Sequence, residues 1–156
     1  MISKVFGSAV HVVSAFTITI EVNIASGKHL WIVGLPDNAV KESEQRVEAA
    51  VKNLGYYIPR QKVVVNMAPA DLRKEGSAYD LPFALGILAA SGQIMAYTLY
   101  QYIIMGELSL DGELRPIKGV LPIAIEARRQ GFKGFILPKQ NEKEAAIVNN
   151  LEVLGV

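Results

Sequence analysis

The chain has 156 residues, of which 51% are hydrophobic and 20% are charged, a balance typical of a folded domain and not of a disordered segment. Its formal net charge is +1, so no overall field attracts it to nucleic acid or to a membrane, although a local basic patch is compatible with this balance. There is no cysteine, which excludes disulfides, thiolate metal sites and a cysteine nucleophile.

A hairpin and a helix are predicted for the first third of the chain. Apolar side chains alternate with polar or small ones from Val10 to Ile24, which is the period of a strand with one solvent-exposed face. After a turn at residues 26–28, Leu30 to Leu35 is predicted to return as the second strand of the hairpin. Pro36-Asp37-Asn38 then supplies side chains suited to cap a helix over Ala39 to Leu54.

The rest of the chain continues the mixture of strands and helices. The elements predicted in chain order are a strand Lys62 to Met67, a helix Leu81 to Ser91, a hairpin of Tyr102 to Glu107 and Leu114 to Ile117, a helix Val120 to Gln130, a strand Gly134 to Leu137, a helix Glu142 to Val148 and a strand Leu151 to Leu154. We therefore expect a single α+β (mixed α/β) domain over residues 1–156, with helices packed on a mixed sheet.

The segment from Met67 to Pro82 is the candidate functional loop, because it joins a buried strand to an apolar helix and holds several charged residues. By position, Ser77 is the candidate nucleophile of a serine hydrolase that uses a Ser–Lys pair. A simpler interpretation is that Ser77 and Asp80 form a helix-capping box, or that Asp80 alone caps the helix. We consider capping the better explanation of this pair.

Metal and nucleotide sites have little support. His11 and His29 are the only histidines, and neither belongs to a close-spaced set of metal ligands. Gly27-Lys28 lacks the glycine spacing and the Ser or Thr of a phosphate-binding loop. We expect no metal or cofactor site in this chain.

The sequence is that of a soluble, cytoplasmic protein. The residues after Met1 lack the cationic stretch and apolar core of a signal peptide. The longest apolar run, Leu81 to Ala90, is much shorter than the roughly 20 residues that a membrane span needs. The absence of cysteine fits a reducing compartment.

Basic residues near tyrosines give a weak signal for nucleic-acid binding. Arg60 and Lys62 lie close in sequence to Tyr56 and Tyr57, and aromatic rings near arginine can stack on bases. The ordinary interpretation of such scattered charges is a solvated surface.

Five segments resemble the N-terminal domain of the magnesium-chelatase-like AAA+ ATPases, the competence-associated ComM/YifB family. These segments are Gly34–Ser43, Val65–Ser77, Asp80–Leu88, Gly106–Ile117 and Gly119–Pro122. The resemblance covers essentially the whole chain in order. It implies a fold similar to the proteolytic domain of Lon protease, which is also found in the recombination protein RadA.

The same resemblance implies that the catalytic dyad of Lon-type proteases is missing. The positions of the nucleophilic serine and its lysine partner are occupied here by Ala78 and Leu121. Ser77 lies one residue before the first position and Lys118 three residues before the second. A displacement of one residue at a helix start turns a side chain by about 100°, so we expect no rescue of the dyad and no enzyme activity in this chain.

The family includes branch-migration motors that act on DNA during natural transformation. The resemblance implies a non-catalytic domain that binds DNA, organises a homo-oligomeric ring, or does both, while ATP and Mg²⁺ bind in an AAA+ module expected after residue 156. Arg73, Lys74 and Arg115 are the candidate DNA contacts. For Arg73 and Lys74, hydrogen bonding to loop carbonyls is an equally good interpretation.

Two alternatives remain open at this point. The first is a cryptic peptidase in which Ser77 pairs with Lys74 or Lys118. The second is a domain that serves oligomerisation alone.

Overall fold

A mixed sheet of seven strands carries the other elements. The computed structural model describes residues 1–156. The strands are β1 (Ile2–His11), β2 (Ser14–Ala25), β3 (Leu30–Val33), β4 (Lys62–Ala68), β5 (Tyr102–Ile104), β6 (Glu107–Leu108), β7 (Leu114–Arg115), β8 (Gly134–Leu137) and β9 (Glu152–Gly155). The order in the large sheet is β3-β4-β2-β1-β5-β8-β9, and β6 and β7 form a separate antiparallel pair.

Helices pack against the centre of this sheet. They are α1 (Asn38–Lys41), α2 (Ser43–Asn53), α3 (Asp80–Ala90), α4 (Val120–Arg129) and α5 (Glu142–Ala145). Helix α3 contacts β1, β2 and α2, whereas α4 contacts β1, β2 and β8. The predicted class, a mixed sheet with helices packed on it, is confirmed. No helix has both the length and the hydrophobicity needed to cross a membrane.

Helix α3 lies unusually close to the sheet because it presents a glycine there. A Cβ added to Gly86 would lie 2.8 Å from a methyl group of Val22 and 3.6 Å from one of Val5. Ser3, on the same side of β1, donates its hydroxyl to the Gly86 carbonyl at 2.6 Å. This contact fixes the direction in which α3 and the loop before it leave the core.

The strand predicted from Val10 to Ile24 is only partly correct. The structure has two long antiparallel strands there, β1 and β2, which turn at Val12 and Val13. Strand β1 was missed because residues 7–9 are all buried, and this removes the alternation that identifies a strand with one wet face. The predicted alternation is confirmed in β2, where Ile18, Ile20, Val22 and Ile24 are buried.

The predicted hairpin between the second strand and Leu30–Leu35 is wrong. Strand β3 instead pairs in parallel with β4, which lies between β3 and β2. The buried positions of β4, Val63, Val65 and Met67, give it a central place under the helices, whereas β3 exposes Trp31 and Val33 and forms the sheet edge.

The helix predicted over residues 39–54 is divided at Glu42 into α1 and α2. The backbone of Glu42 has φ −67° and ψ −15°, so the chain remains close to helical geometry at this point. The hairpin with its turn at Asp111-Gly112 is confirmed as β6 and β7. The strand predicted over Tyr102 to Glu107 is divided, because Tyr102–Ile104 forms β5 of the large sheet.

Gly34→Ala is expected to destabilise the fold by more than about 3 kcal/mol. The backbone of Gly34 has φ 112°, and an added Cβ would lie 2.2 Å from the carbonyl oxygen of Met67. Urea denaturation followed by circular dichroism measures the change.

Gly55→Ala is the matched control for this prediction. Gly55 has φ 89°, yet nothing lies within 4 Å of the added Cβ. Gly55→Ala therefore tests backbone strain alone, which is expected to lower the free energy of unfolding by about 1 kcal/mol. Equal losses in the two variants would contradict the close approach at Gly34.

Candidate functional site

A cleft of about 360 Å³ opens between the loop that precedes α3 and the segment that precedes α4. Its lining includes Ser77 and Ala78 from the first segment and Lys118 from the second, together with Glu107 of β6. The structure thus brings Ala78 together with Ser77 and Lys118, the serine and lysine nearest in sequence to the compared positions. Leu121 does not line the cleft and packs, half-buried, against the core.

Within the cleft, the hydroxyl of Ser77 donates a hydrogen bond to the carboxylate of Glu107. On the other side of this carboxylate, Arg115 Nε lies 3.7 Å from Glu107 Oε2. The prediction that Ser77 caps α3 is wrong, because its hydroxyl is directed to a side chain on β6 and not to a helix N–H group. Glu107 also connects the loop to Arg115 on β7.

Asp80 is fully buried and is also not a helix cap. Its carboxylate accepts hydrogen bonds from Ser43 Oγ at 2.5 Å, from Arg46 Nε at 2.7 Å and from the Leu108 amide at 3.0 Å. The capping prediction failed because Asp80 is the first residue inside α3, and its side chain turns away from the helix end toward α2 and β6. The hydrogen bond to Asp80 raises the pKa of the Arg46 guanidinium.

Lys74 is also fully buried. Its Nζ donates to the Gly34 carbonyl at 2.7 Å and to the Pro69 carbonyl, and its amide donates to the Leu35 carbonyl at 3.0 Å. Burial lowers the pKa of this amine. Lys74 is therefore not available to a phosphate, which corrects its prediction as a DNA contact, whereas the alternative of loop anchoring through carbonyls agrees with these bonds.

Asp37, like Lys74, connects the segment between β3 and α1 to the loop that precedes α3. One oxygen of its carboxylate accepts from the Val40 amide at 2.8 Å and caps α1, as predicted for this segment. The other oxygen accepts from the Gly76 amide at 3.2 Å, immediately before Ser77. The position of Ser77 and Ala78 in the cleft thus depends on a residue about 40 positions earlier in the chain.

Arg73 and Arg115 are exposed, as a DNA contact requires, but each is paired with a carboxylate. Arg73 Nε lies 3.3 Å from Glu75 Oε1, and Arg115 pairs with Glu107. Arg73 lines a different cavity, of about 360 Å³, together with Lys41 and Asn38. The carboxylate partners of the two arginines, Glu75 and Glu107, both line the cleft that holds Ser77.

Ser43, Arg46 and Glu107 are the residues of this region that the sequence did not assign to it. Ser43 and Arg46 are three residues apart and so share one face of α2. Their common face could have been recognised from the sequence. Arg46 Nη1 also lies 3.9 Å from Oε1 of Glu42, which is four residues earlier in the chain. No sequence pattern indicated a role for Glu107, since its partners Ser77 and Arg115 lie about 30 residues earlier and 8 residues later in the chain.

A family profile described as subunit ChlI of Mg-chelatase matches residues 20–141. The chain is 47% identical to the uncharacterized protein YifB of Escherichia coli over 138 residues, and 45% identical to the competence protein ComM of Haemophilus influenzae over 139 residues. The chain belongs to the magnesium-chelatase-like ComM/YifB family. Each alignment covers 88% of this chain and 27% of the relative, so the chain spans less than a third of the length of these relatives.

More distant similarity extends to two other protein groups. The chain is 32% identical to the DNA repair protein RadA of Halalkalibacterium halodurans over 105 residues, 67% of this chain and 22% of RadA. It is 29% identical to Lon protease 2 of Thermus thermophilus over 135 residues, 81% of this chain and 16% of the protease. Both similarities agree with a Lon-like fold for this member of the ComM/YifB family.

Asp80→Ala is expected to lower the free energy of unfolding by about 3 kcal/mol, because it leaves Arg46 without its buried partner. Urea denaturation measures the change. Glu75→Ala is the control, since it removes an exposed partner of Arg73, and such pairs contribute at most about 1 kcal/mol. Similar losses in the two variants would show that the buried pair has no special role.

Lys74 is expected to resist acylation by acetic anhydride in the folded protein, although a lowered pKa favours the reactive free amine. Access decides the outcome, because Lys74 is fully buried and Lys118 is exposed. Mass spectrometry of digested protein should find Lys118 modified before denaturation and Lys74 only after it. Early modification of Lys74 would contradict its anchoring role.

Proposed function

We propose that this chain is the non-catalytic N-terminal domain of a magnesium-chelatase-like AAA+ ATPase, and that it binds DNA and helps to organise the ring during DNA processing. Membership of the ComM/YifB family supports this proposal, as does similarity to proteins named for competence and for DNA repair. ATP and Mg²⁺ are assigned to an AAA+ module that follows residue 156, and the whole protein is proposed to be a cytoplasmic homo-oligomer.

The residues that line the cleft support the proposal that this domain is not catalytic. The family resemblance implies that Ala78 occupies the position of the Lon nucleophile, and an alanine side chain has no nucleophilic atom. The neighbouring Ser77 donates its hydroxyl to Glu107, and the amine of Lys74 is bound to two carbonyl groups. A Lon-type Ser–Lys dyad needs a lysine with a free amine directed at the serine hydroxyl, and the partner of the Ser77 hydroxyl is instead a carboxylate.

DNA binding by this chain is expected to depend steeply on salt, because phosphate contacts release condensed counterions. Fluorescence anisotropy with labelled single-stranded, forked and duplex DNA over a series of KCl concentrations measures both affinity and slope. Size-exclusion chromatography with light scattering, with and without DNA, gives the oligomeric state in the same samples.

The absence of binding to every DNA at low salt would overturn the DNA-binding part of the proposal. A stable oligomer under those conditions would instead favour the alternative of a domain that serves oligomerisation alone. Arg73→Gln and Arg115→Gln test the two exposed arginines of the original prediction, with Glu75 and Glu107 as the carboxylates that compete with phosphate for them.

One observation favours a second candidate, a peptidase that pairs Ser77 with Lys118, because both residues line the same cleft. We expect no covalent labelling of the folded chain by a serine-reactive fluorophosphonate, since the Ser77 hydroxyl is hydrogen-bonded to Glu107 and not to the amine of a lysine. In-gel fluorescence measures the labelling, and Ser109→Ala is the control for nonspecific reaction. Labelling that disappears in Ser77→Ala but persists in Ser109→Ala would establish the peptidase reading instead.

A further inference from the structure

One end of the large sheet has an outer face that helices do not cover. In β2 from Thr17 onward and in β4, residues alternate between buried and more accessible positions, and β3 alternates between half-buried and exposed ones. In β1 the accessible positions at this end are Ile2 and Lys4. The buried set includes Val5, Ile20, Val22 and Val65 and faces α3. The accessible set forms the outer face, which is defined by Ile2, Lys4, Glu21, Asn23, Trp31, Val33, Lys62, Val64 and Asn66.

The register of the four strands places these side chains in rows. Trp31 is paired with Val64, Val64 with Asn23, and Asn23 with Ile2. The neighbouring row runs through Val33, Asn66, Glu21 and Lys4 in the same way. Paired residues of neighbouring strands point to the same side of a sheet, so each row is a continuous line of side chains.

Trp31 is the prominent group on this face, with 52% of its surface exposed. Its indole Nε1 donates to the Lys28 carbonyl at 3.3 Å, and the ring of His29 lies edge-on with a centroid separation of 6.4 Å. These two contacts hold the indole in a defined orientation. A large aromatic ring that is both ordered and exposed on an open sheet is suited to stacking on a flat ligand.

The charges of the outer face are complementary to phosphate. Lys4 and Lys62 are exposed, and neither forms an ion pair. Glu21 is the carboxylate on this face, and it accepts a hydrogen bond from the Asn66 amide at 3.0 Å. Two free cations therefore lie on either side of a carboxylate that already has a partner.

Other acidic groups near this end of the sheet lie on its helix side. Glu44 and Glu48 of α2 line a cavity with Leu30 and Val63, which are the inward-facing residues of β3 and β4. Lys28, His29 and Arg60 stand at the rim of the same cavity. Glu44 and Glu48 thus lie on the opposite side of the sheet from Trp31.

We propose that the outer face is a binding platform for single-stranded DNA, in which Trp31 stacks on an unpaired base and Lys62 and Lys4 bind phosphates. This inference rests on the proposed function in DNA processing. A single strand is favoured over a duplex because only unpaired bases offer their faces to an aromatic ring. The four strands span about 14 Å, which is room for about four stacked nucleotides.

Trp31 is the only tryptophan of the chain, so its fluorescence reports directly on the platform. Titration with an unlabelled thymidine oligonucleotide is expected to quench this fluorescence as DNA binds. Anisotropy with a labelled oligonucleotide should show affinity about tenfold lower in Trp31→Ala, a loss of the size that a stacked base gives. Trp31→Phe should restore part of the affinity, because it retains an aromatic ring.

Removal of a lysine should change the salt dependence of DNA binding, whereas removal of the Trp31 ring should change mainly the affinity. Lys62→Gln is expected to reduce the slope of log affinity against log salt by about 0.7, the contribution of one phosphate contact on a single strand. Tyr97→Ala and Lys143→Gln are the matched controls, since both residues are exposed and lie outside the outer face. Circular dichroism verifies that each variant is folded.

The outcomes separate this inference from the proposed function. If the chain binds DNA but Trp31→Ala has no effect while Arg73→Gln or Arg115→Gln weakens binding, the platform is wrong and the proposed function stands. If no DNA binds under any condition, the platform and the DNA-binding part of the proposed function are both wrong, and a protein partner becomes the better occupant of the face. Tighter binding of duplex DNA, or of a uridine ribonucleotide, would overturn the assignment to single-stranded DNA.

Discussion

The carboxylate of Asp80 has no exposed surface, and a buried charge is stable only when it is paired and fully hydrogen-bonded. This requirement organises the centre of the molecule. Arg46 supplies the opposite charge from α2, Ser43 supplies a hydroxyl from the same helix face, and Leu108 supplies an amide from β6. One side chain thereby fixes the start of α3 against a helix and a strand that are distant in sequence.

A second buried group does the same for the loop before α3. The amine of Lys74 binds the carbonyls of Gly34 and Pro69, and Asp37 binds the amide of Gly76. Together with Asp80, these contacts place Ser77 and Ala78 at the cleft. Lys74 and Asp80, two of the charged residues that make this loop conspicuous in the sequence, therefore hold it in position.

Much of the fold was predictable because its signals are local. The alternation in β2, the cap at Asp37 and the hairpin of β6 and β7 follow from residues that are close in sequence. The parallel pairing of β3 with β4 was not predictable in this way, since strand partners are chosen by which apolar faces must be buried together. The same limit applies to β1, whose consecutive buried residues show no period.

The sequence by itself determined the family, because the motifs that identify it are runs of neighbouring residues that can be recognised without a structure. Only the tertiary structure decided the direction of each side chain. It turned Lys74 and Asp80 inward, contrary to their predicted roles, and it brought Lys118 into the cleft in place of Leu121. It also placed Trp31, Lys62 and Lys4 on one face, because strand register, which is set by contacts far apart in the chain, decides which residues share a surface.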